Sequence, residues 1–237
     1  MKFFSLDELK PPVDQNFFND ELDLDVIKNK FSVDGCVFIN SAVGEGIVES
    51  LYLLSEELSP HQNRVRILNH KKGGSIGKDT IEKHTDFVRK IYESKKTIAF
   101  ISTLSGKKLL TCPDSDAHAY ALYFYDEEGD HIGWHYDTSL YKGERYTFLI
   151  GILDNSQCLL ECVTKNKNER QFKLGPGGVV LLDGNKVKHR VTPTKKNDSR
   201  IVLSLEYITD TRISYVMRLL AKIKDFVFYF GWQTFKK

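Results

Sequence analysis

The amino-acid sequence predicts a mainly β protein with α-helices: a jelly roll covered by N-terminal helices, plus a C-terminal helix. Three observations carry the prediction. Apolar residues recur near helical spacing through much of residues 20–105, short β-branched or aromatic segments fill residues 118–207, and residues 211–235 return to a helical pattern. No linker convincingly divides the chain, so residues 1–237 are expected to form a single domain.

The N-terminal region, residues 1–116, is expected to supply the helices that support the sheet. The first predicted helix, DELDLDVIKNKF, has Asp20 in position to cap it, and the second, GEGIVESLYLLSEELSP, ends at Pro60. A short strand, DGCVFIN, separates them. A third, longer helix is predicted over DTIEKHTDFVRKIYESKKTIAFISTLSG. The Gly-rich basic stretch over residues 69–79 is expected to be a loop, either a lid or a connector.

The core of the jelly roll is expected in residues 117–208. Turn-forming stretches such as DEEGD, KNKNE, GPGG and KKND separate short β-type segments there. These segments are HAYALYFY, HIGWHYD, YTFLIGILD, QCLLECVT, RQFKL, GGVVLLDG, KHRVTP and RIVLSLEY. So many short strands in one stretch of chain indicate two layers of sheet packed face to face, as in a jelly roll.

The predicted C-terminal helix, residues 211–235, carries an apolar stripe made by Leu219, Ile223, Phe226 and Phe230. Such a helix either docks on the sheet of its own domain or serves as an interfacial or dimer helix, which would make the protein a homodimer. The first interpretation is favoured, since globular helices commonly bury one apolar face.

Composition and charge narrow the functional classes. The formal net charge is +2, so no global electrostatic attraction to nucleic acid or to a membrane surface is expected. No apolar run approaches the roughly 18 residues that are needed to cross a bilayer. The four cysteines have no CxxC spacing, and the N-terminus lacks the apolar segment of a secretory signal, so a reduced cytoplasmic protein is expected.

A histidine and a carboxylate occur two positions apart in the segment HIGWHYD. Alternate residues of a strand project from the same face, so His135 and Asp137 are expected to point together. The best candidate for a third ligand is His189 on another predicted strand, and His131 is a weaker alternative to His135. Two imidazoles and one carboxylate suit an Fe(II) site that binds O2 and a cosubstrate, and the same residue types also form zinc sites.

Arg200 favours the iron hypothesis over the zinc hypothesis. It begins the otherwise apolar segment RIVLSLEY, where an unpaired charge would be costly. A guanidinium binds a carboxylate through two hydrogen bonds, so the distal carboxylate of 2-oxoglutarate would be a suitable partner. Ser204 shares the parity of Arg200 but lies further along the strand.

With these residues the sequence resembles the Fe(II)- and 2-oxoglutarate-dependent oxygenases, in the broad branch that includes prolyl hydroxylases. FSVDGCVFIN is similar to the family's helix-to-strand opening, and ALYFYDEEGDHIGWHYD to its tyrosine, glycine turn and H-x-D motif. LGPGGVVLLDGNKVKHRVTPTKKNDSR is similar to its Pro-Gly turn, strand, distal histidine and arginine. Each motif is weak alone, and their order along the chain makes the resemblance specific.

The resemblance implies a double-stranded β-helix with an iron triad of His135, Asp137 and His189, which would be the catalytic centre. It also implies Arg200 as the anchor of 2-oxoglutarate and Tyr125 as a hydrogen-bonding partner of the same carboxylate. The implied reaction consumes O2 and 2-oxoglutarate, oxidises a substrate C–H bond, and releases succinate and CO2. Family halogenases have a small residue in place of Asp137, so this carboxylate argues for oxygenation.

The predicted function is therefore the oxidation, most simply the hydroxylation, of a small molecule such as an amino acid or a natural-product intermediate. A prolyl or other protein side-chain hydroxylase is the alternative within the same class. An oxidative nucleic-acid demethylase fits less well because the charge is balanced, and a lipid-like substrate is suggested by the aromatic C-terminal helix alone. The alternative from another class is a non-catalytic jelly-roll binding protein with a vestigial metal site.

Overall fold

The computed structural model describes residues 17–212, except residues 69, 138 and 140. The α-helices of this part of the chain precede the main run of strands. They are α1 (Leu24–Asp34), α2 (Glu45–Leu58), α3 (Lys78–His84), α4 (Phe87–Glu93) and α5 (Lys95–Ser105). A short 3-10 turn at Ser59–His61, which contains the predicted helix-ending Pro60, follows α2 directly.

The strands of the described part form one antiparallel sheet. They are β1 (Cys36–Ile39), β2 (Asn63–Ile67), β3 (Lys71–Gly77), β4 (Leu110–Thr111), β5 (Tyr120–Tyr125), β6 (His131–His135), β7 (Arg145–Asn155), β8 (Leu160–Val163), β9 (Glu169–Phe172), β10 (Val179–Asp183), β11 (Lys188–Val191) and β12 (Ser199–Ile208). Their order is β1-β10-β7-β12-β5-β3-β6-β11-β8-β9, with β2 added to β3 and β4 added to β12. Side chains of β10 and β12 meet those of β8 and β11 in one apolar cluster, so the sheet curls into two layers.

This curled sheet confirms the predicted jelly roll. Each of the β-type segments in residues 117–208 contains a strand, from β5 to β12 in chain order. The last strand, β12, pairs with β5 on one side and with β7 on the other. Its register places Arg200 opposite Tyr125 of β5, and Glu206 opposite Thr147 of β7. Strand β12 thus connects the two ends of the site described below.

The interior contains two apolar clusters, which lie on opposite faces of the central strands. In β10, Val180 belongs to the cluster inside the jelly roll and Leu181 to the cluster that includes the helices. In β12, Val202 and Leu203 divide in the same way. Successive side chains of a strand point to opposite faces, so a strand covered on both sides reads as a continuous apolar run. This explains why GGVVLLDG and RIVLSLEY lack a clear alternation of apolar and polar residues.

The N-terminal region, predicted as helical support over residues 1–116, holds more strand than expected. Its stretch 69–79, predicted as a loop, supplies all of β3, which is hydrogen-bonded to β2, β5 and β6. Gly73 has a φ of +154°, and a Cβ there would lie 3.2 Å from the carbonyl oxygen of Phe124. The glycines therefore permit close strand contact, and this stretch is neither a lid nor a simple connector.

The long third helix of the prediction is divided into α3, α4 and α5. Thr85 is extended, with φ −161° and ψ 153°, and ends α3. Ser94 leaves the helical region, with φ −57° and ψ 127°, and separates α4 from α5. Each break resets the helical phase, so Val88 of α4 and Ile101 of α5 are both fully buried in the same cluster. Periodicity alone could not reveal the breaks because neither contains proline or glycine.

Helix α1 begins later than the sequence predicted. Its N-cap is Asp23, whose carboxylate accepts a hydrogen bond from the backbone N–H of Val26 at 3.0 Å, so the predicted cap at Asp20 is wrong. At the other end Gly35 adopts the left-handed conformation, with a φ of +74°, and its N–H donates to the carbonyl of Phe31. The turn leads directly into β1.

The predicted C-terminal helix, residues 211–235, falls almost entirely outside the described residues, and so does the homodimer contact that rests on it. Across the described ranges, the structure contains no helix that is long and apolar enough to cross a membrane.

Candidate metal centre and cosubstrate pocket

The pairing of β6 with β11 brings two histidines side by side. His135 lies opposite His189, and their ring centroids are 4.2 Å apart. A β-bulge follows, because the next matched pair is Val191 with Ile132, so β6 uses one residue more than β11. The extra residue reverses the alternation of β6, and Ile132 lines the same cavity as His135. His131, the alternative ligand by parity, is therefore not part of the group.

Asp137 completes a cluster of three potential metal ligands with His135 and His189. Nε2 of His135 is 3.4 Å from Oδ1 of Asp137, and Nε2 of His189 is 3.4 Å from Oδ2. One ligand atom from each residue lies within 4.8 Å of the other two. His189 is buried, and the other two side chains are partly exposed. The structure thus brings together the three residues that the sequence predicted as a set.

Backbone carbonyls orient both imidazole rings. Nδ1 of His135 lies 2.8 Å from the carbonyl oxygen of Gly133, and Nδ1 of His189 lies 3.3 Å from that of Val187. A carbonyl oxygen can only accept, so in each ring Nδ1 carries the hydrogen and donates it. Nε2 of the neutral ring then has a free lone pair, and it points toward Asp137. The carbonyls thereby favour the tautomer that a metal ion requires.

Electrostatics within the cluster favour metal binding as well. Burial opposes ionisation of Asp137, but the imidazoles of His189 and His135 hold the pKa of this carboxyl well below its ordinary value. Burial lowers the pKa of His189. Burial also disfavours the charged form of His135, but the hydrogen bond and the charge of Asp137, together with the Gly133 carbonyl, raise its pKa. A carboxylate beside a neutral His189 is close to the protonation state that metal ligation needs.

Two neighbours hold Asp137 in place just beyond the end of β6. The Thr147 hydroxyl on β7 lies 2.7 Å from Oδ2 of the carboxylate. Gly184, directly after β10, packs against the Asp137 main chain: a Cβ there would lie 2.8 Å from both the carbonyl oxygen and the Cβ of Asp137. Glycine is thus needed at position 184 because the backbones approach so closely.

Arg200 lies at the other end of the same region, with only 1% of its surface exposed. Its guanidinium carbon is 5.1 Å from the ring centroid of Tyr125, and its Nε and Nη1 have no hydrogen-bond partner among the described residues. Burial raises the pKa of Tyr125 to about 12, so its hydroxyl stays neutral and can donate. A buried cation with unused N–H groups is costly unless an acceptor is supplied, and a carboxylate fits that need.

A cavity of about 60 Å³ joins the metal-ligand cluster to Arg200 and Tyr125. Its apolar wall is formed by Ile132, Leu149, Leu160, Val191 and Val202. The apolar wall comes mainly from the cluster inside the jelly roll. The cavity is therefore lined by the three potential metal ligands, by a buried cation and by an apolar wall.

Thr147 and Glu206 also line the cavity, and neither residue was predicted from the sequence. Glu206 could have been found, because it continues the alternation Arg200, Val202, Ser204 along β12. Ser204 does line the cavity, and its hydroxyl donates to Oε1 of Glu206 at 3.0 Å. Thr147 gave no signal, because a threonine within an apolar strand is common and its contact with Asp137 depends on the tertiary fold.

The residues present fit an Fe(II) ion and 2-oxoglutarate. Two imidazoles and one carboxylate converge at one side of the cavity, which is the ligand set typical of non-haem iron oxygenases. The unsatisfied guanidinium of Arg200 lies in the same cavity and matches the distal carboxylate of a dicarboxylate such as 2-oxoglutarate. The first observation points to the metal ion and the second, independently, to the cosubstrate.

Solved structures share this fold. The epimerase SnoN from nogalamycin biosynthesis, a non-haem α-ketoglutarate-dependent enzyme, is 12% identical with a TM-score of 0.66, covering 78% of this chain and 80% of its own. A 2OG-Fe(II) oxygenase-family oxidoreductase from Burkholderia pseudomallei is 11% identical with a TM-score of 0.65, covering 83% and 96%. A Pseudomonas putida prolyl-4-hydroxylase is 13% identical with a TM-score of 0.61, covering 79% and 98%. At these identities the likeness concerns the fold.

Sequence comparison adds the family. No curated protein matches the chain. The profile of the family described as HalD: Halogenase D matches residues 19–142, which is more than half of the chain and includes His135 and Asp137. The predicted double-stranded β-helix and the resemblance to 2-oxoglutarate-dependent oxygenases are thus confirmed, and within that fold the chain belongs to the Halogenase D family.

Proposed function

We propose that the protein is an Fe(II)- and 2-oxoglutarate-dependent dioxygenase that oxidises a C–H bond of a small molecule. The observation that carries the proposal is the joint presence, in one cavity, of the His135–Asp137–His189 cluster and the unsatisfied guanidinium of Arg200. A zinc site would explain the cluster but would leave the buried cation without a partner.

His135, Asp137 and His189 would hold the metal ion through Nε2, a carboxylate oxygen and Nε2. The bound Fe(II) with 2-oxoglutarate and O2 supplies the oxidising chemistry, with succinate and CO2 as co-products. The residues themselves contribute the ligand field and its orientation: the carbonyls of Gly133 and Val187 fix the rings, and Thr147 fixes the carboxylate.

Arg200 and Tyr125 would hold the cosubstrate. The guanidinium offers two N–H groups to the distal carboxylate, and the Tyr125 hydroxyl beside it can donate a further hydrogen bond. The apolar wall described above keeps water away from the space between this anchor and the metal ligands. Exclusion of water strengthens the charge-assisted bonds and protects the reacting groups from side reactions.

Halogenation is a second candidate because of the family's description. Asp137 speaks against it, since a carboxylate at this position takes the place that halogenases leave open beside the metal. In an assay with a turned-over substrate and excess bromide, we expect the wild-type product to gain oxygen and no bromine, which the bromine isotope pattern in the mass spectrum would reveal. A brominated wild-type product would instead establish halogenase activity.

The proposed substrate is a small molecule such as an amino acid or a natural-product intermediate. The solved structures that share the fold include both an enzyme of nogalamycin biosynthesis and prolyl hydroxylases, so a prolyl or other protein side chain stays the alternative. A screen of free amino acids, natural-product scaffolds and proline-containing peptides for substrate-dependent succinate would separate the two. The cytoplasmic location and the homodimer stay predictions.

The decisive experiment for the reaction class needs no substrate. Anaerobic addition of Fe(II) and 2-oxoglutarate to the wild-type protein should produce a weak visible charge-transfer band, and admission of air should release succinate. Asp137→Ala should abolish the band and weaken Fe(II) binding by more than about 100-fold, since one of three ligands is lost. Absence of the band and of succinate in the wild type would exclude the proposal, and unchanged turnover in Asp137→Ala would show that the ligands are misassigned.

A further inference from the structure

A chain of buried polar side chains extends from Asp137 along one wall of the cavity. The Thr147 hydroxyl is 2.7 Å from Oδ2 of Asp137 and 3.0 Å from Oε2 of Glu206. Nε of Arg145 donates to the same Oε2 at 3.0 Å, and the Ser204 hydroxyl donates to Oε1 at 3.0 Å. All four of these residues, Thr147, Glu206, Arg145 and Ser204, are buried. Thr147 thus connects the Asp137 carboxylate, which faces the candidate metal position, with the Glu206 carboxyl group, which is surrounded by protein side chains.

The single hydrogen of the Thr147 hydroxyl limits which of its two neighbours can accept it. A threonine hydroxyl has one hydrogen, so Thr147 can donate to Asp137 or to Glu206 but not to both. If it donated to Glu206, two oxygen lone pairs would face each other across the shorter contact of 2.7 Å to Asp137. Donation to Asp137 is therefore the better arrangement, and it strengthens the bond because the acceptor is ionised.

The contact to Glu206 is then satisfied if Glu206 carries a proton on Oε2 and donates it to Thr147. Burial raises the pKa of Glu206 to about 7, so such a proton is held below about pH 7. Arg145 and Ser204 fix the orientation of the carboxyl group from its other sides. In this arrangement the Thr147 hydroxyl is held on both sides, with its hydrogen directed toward Oδ2 of Asp137.

We infer that Thr147 is a positioning residue that binds Oδ2 of Asp137 and leaves Oδ1 as the oxygen that ligates the metal, so that the carboxylate occupies a single coordination position. The inference rests on the proposed function. Ligation by one oxygen of Asp137 would leave more positions on the metal for 2-oxoglutarate and O2 than ligation by both oxygens. Thr147 would thereby keep the cosubstrate position free.

The test compares Thr147→Val, which removes the hydroxyl at nearly constant shape, with Thr147→Ser, which retains it. Anaerobic titration of the Fe(II)-loaded protein with 2-oxoglutarate, followed by the charge-transfer band, gives the cosubstrate Kd. Competition with a chelator gives the Fe(II) affinity, and the visible spectrum of the Co(II)-loaded protein reports the coordination number. Thr97→Val is the matched control: Thr97 is buried in α5, and its hydroxyl has no hydrogen-bond partner among the described residues.

We expect Thr147→Val to weaken 2-oxoglutarate binding by about tenfold while Fe(II) affinity is retained or rises, because the freed Oδ2 can ligate the metal. Its Co(II) spectrum should change, and Thr147→Ser and Thr97→Val should match the wild type. If Thr147→Val does not fold, Thr147→Ala removes the same hydroxyl without a methyl group against the carboxylate.

Two results would overturn the inference: wild-type Kd and spectra in the variant that lacks the hydroxyl, or an equal loss of Fe(II) and 2-oxoglutarate affinity, which would indicate a purely structural role. Both are distinguishable from failure of the proposed function, in which the wild type itself shows no charge-transfer band.

Discussion

The two ends of β12 present opposite situations to the same cavity. At one end Arg200 is buried with two guanidinium nitrogens unsatisfied within the described residues, whereas at the other end Glu206 accepts from Arg145 and Ser204 and contacts Thr147. An unsatisfied buried charge marks a place where a ligand completes the structure, and a satisfied one marks a support that the protein completes itself. This difference separates the Arg200 end, which we propose binds the cosubstrate and call the cosubstrate end, from the Glu206 end, which we call the supporting end.

The largest effect should follow from breaking the supporting end. Arg145 lies 3.0 Å from Glu206 and 3.7 Å from Asp116, so Arg145→Met would leave the buried Asp116 carboxylate without its cation and would remove a hydrogen bond to Glu206. We expect the free energy of unfolding to fall by about 3–5 kcal/mol in denaturant titrations. Lys90→Met, which breaks the exposed pair with Asp86, is the control and should cost less than about 1 kcal/mol. A loss below about 1 kcal/mol in Arg145→Met would contradict this assignment.

The next effect concerns pH at the same end. The pKa of Glu206 is about 7 in the folded protein against an ordinary value of 4.5, so folding favours its protonated form. Its contribution to stability is therefore complete below about pH 4.5 and is lost as the pH rises through about 7, which amounts to roughly 3 kcal/mol. In metal-free protein, Glu206→Gln should remove this part of the decline, as measured by unfolding at a series of pH values. Parallel curves for wild type and variant would rule out the raised pKa.

At the cosubstrate end the expected effect is on binding. Arg200→Met should raise the Kd for 2-oxoglutarate by about 100-fold, because two charge-assisted hydrogen bonds are lost. Fe(II) affinity should change by less than about threefold, since Arg200 contacts none of the three proposed ligands. Anaerobic titration measures the first quantity and chelator competition the second. If 2-oxoglutarate bound to this variant as tightly as to the wild type, Arg200 could not be the anchor.

The smallest expected effect is on stability, and it distinguishes the two ends of β12 directly. Without cosubstrate, Arg200→Met should stabilise the fold by about 1 kcal/mol, because an apolar side chain replaces a buried charge that lacks a full set of partners. Arg145→Met, the same substitution at the other end, should destabilise it. Saturating 2-oxoglutarate should reverse the sign for Arg200, as seen in melting temperatures with and without the ligand. Destabilisation by both substitutions without cosubstrate would mean that the two ends do not differ.

Most of the jelly roll could be predicted because its strands are short, apolar and bounded by turn residues. The spacing of His135, Asp137 and His189 was equally informative, because strand pairing converts sequence parity into a shared face. Strand β3 was missed because its glycines, which normally indicate a loop, serve here to let a neighbouring carbonyl approach. The helix breaks at Thr85 and Ser94 carry no proline or glycine and so left no local signal.

The supporting side of the site could not be predicted for a different reason. Thr147, Arg145 and Glu206 are ordinary residues of long strands, and their contacts depend on the register between β7 and β12. Register is a property of the assembled sheet, and a single sequence does not specify which residue of one strand faces which residue of another. The spacing of ligands along one strand can thus be predicted from the sequence. The hydrogen-bond network that orients a ligand cannot be predicted in this way.

The bulge in β6 has a consequence for protein engineering. One extra residue lies between Ile132 and His135. The inward and outward alternation of side chains therefore shifts by one residue between the two halves of β6. Transplanting only the His-Tyr-Asp sequence into a regular hairpin would therefore keep the ligands. The residue equivalent to Ile132, which lines the cavity here, would then point to the opposite face of the strand. A design that moves this centre to another scaffold must therefore include the extra residue of the bulge together with the His-Tyr-Asp motif.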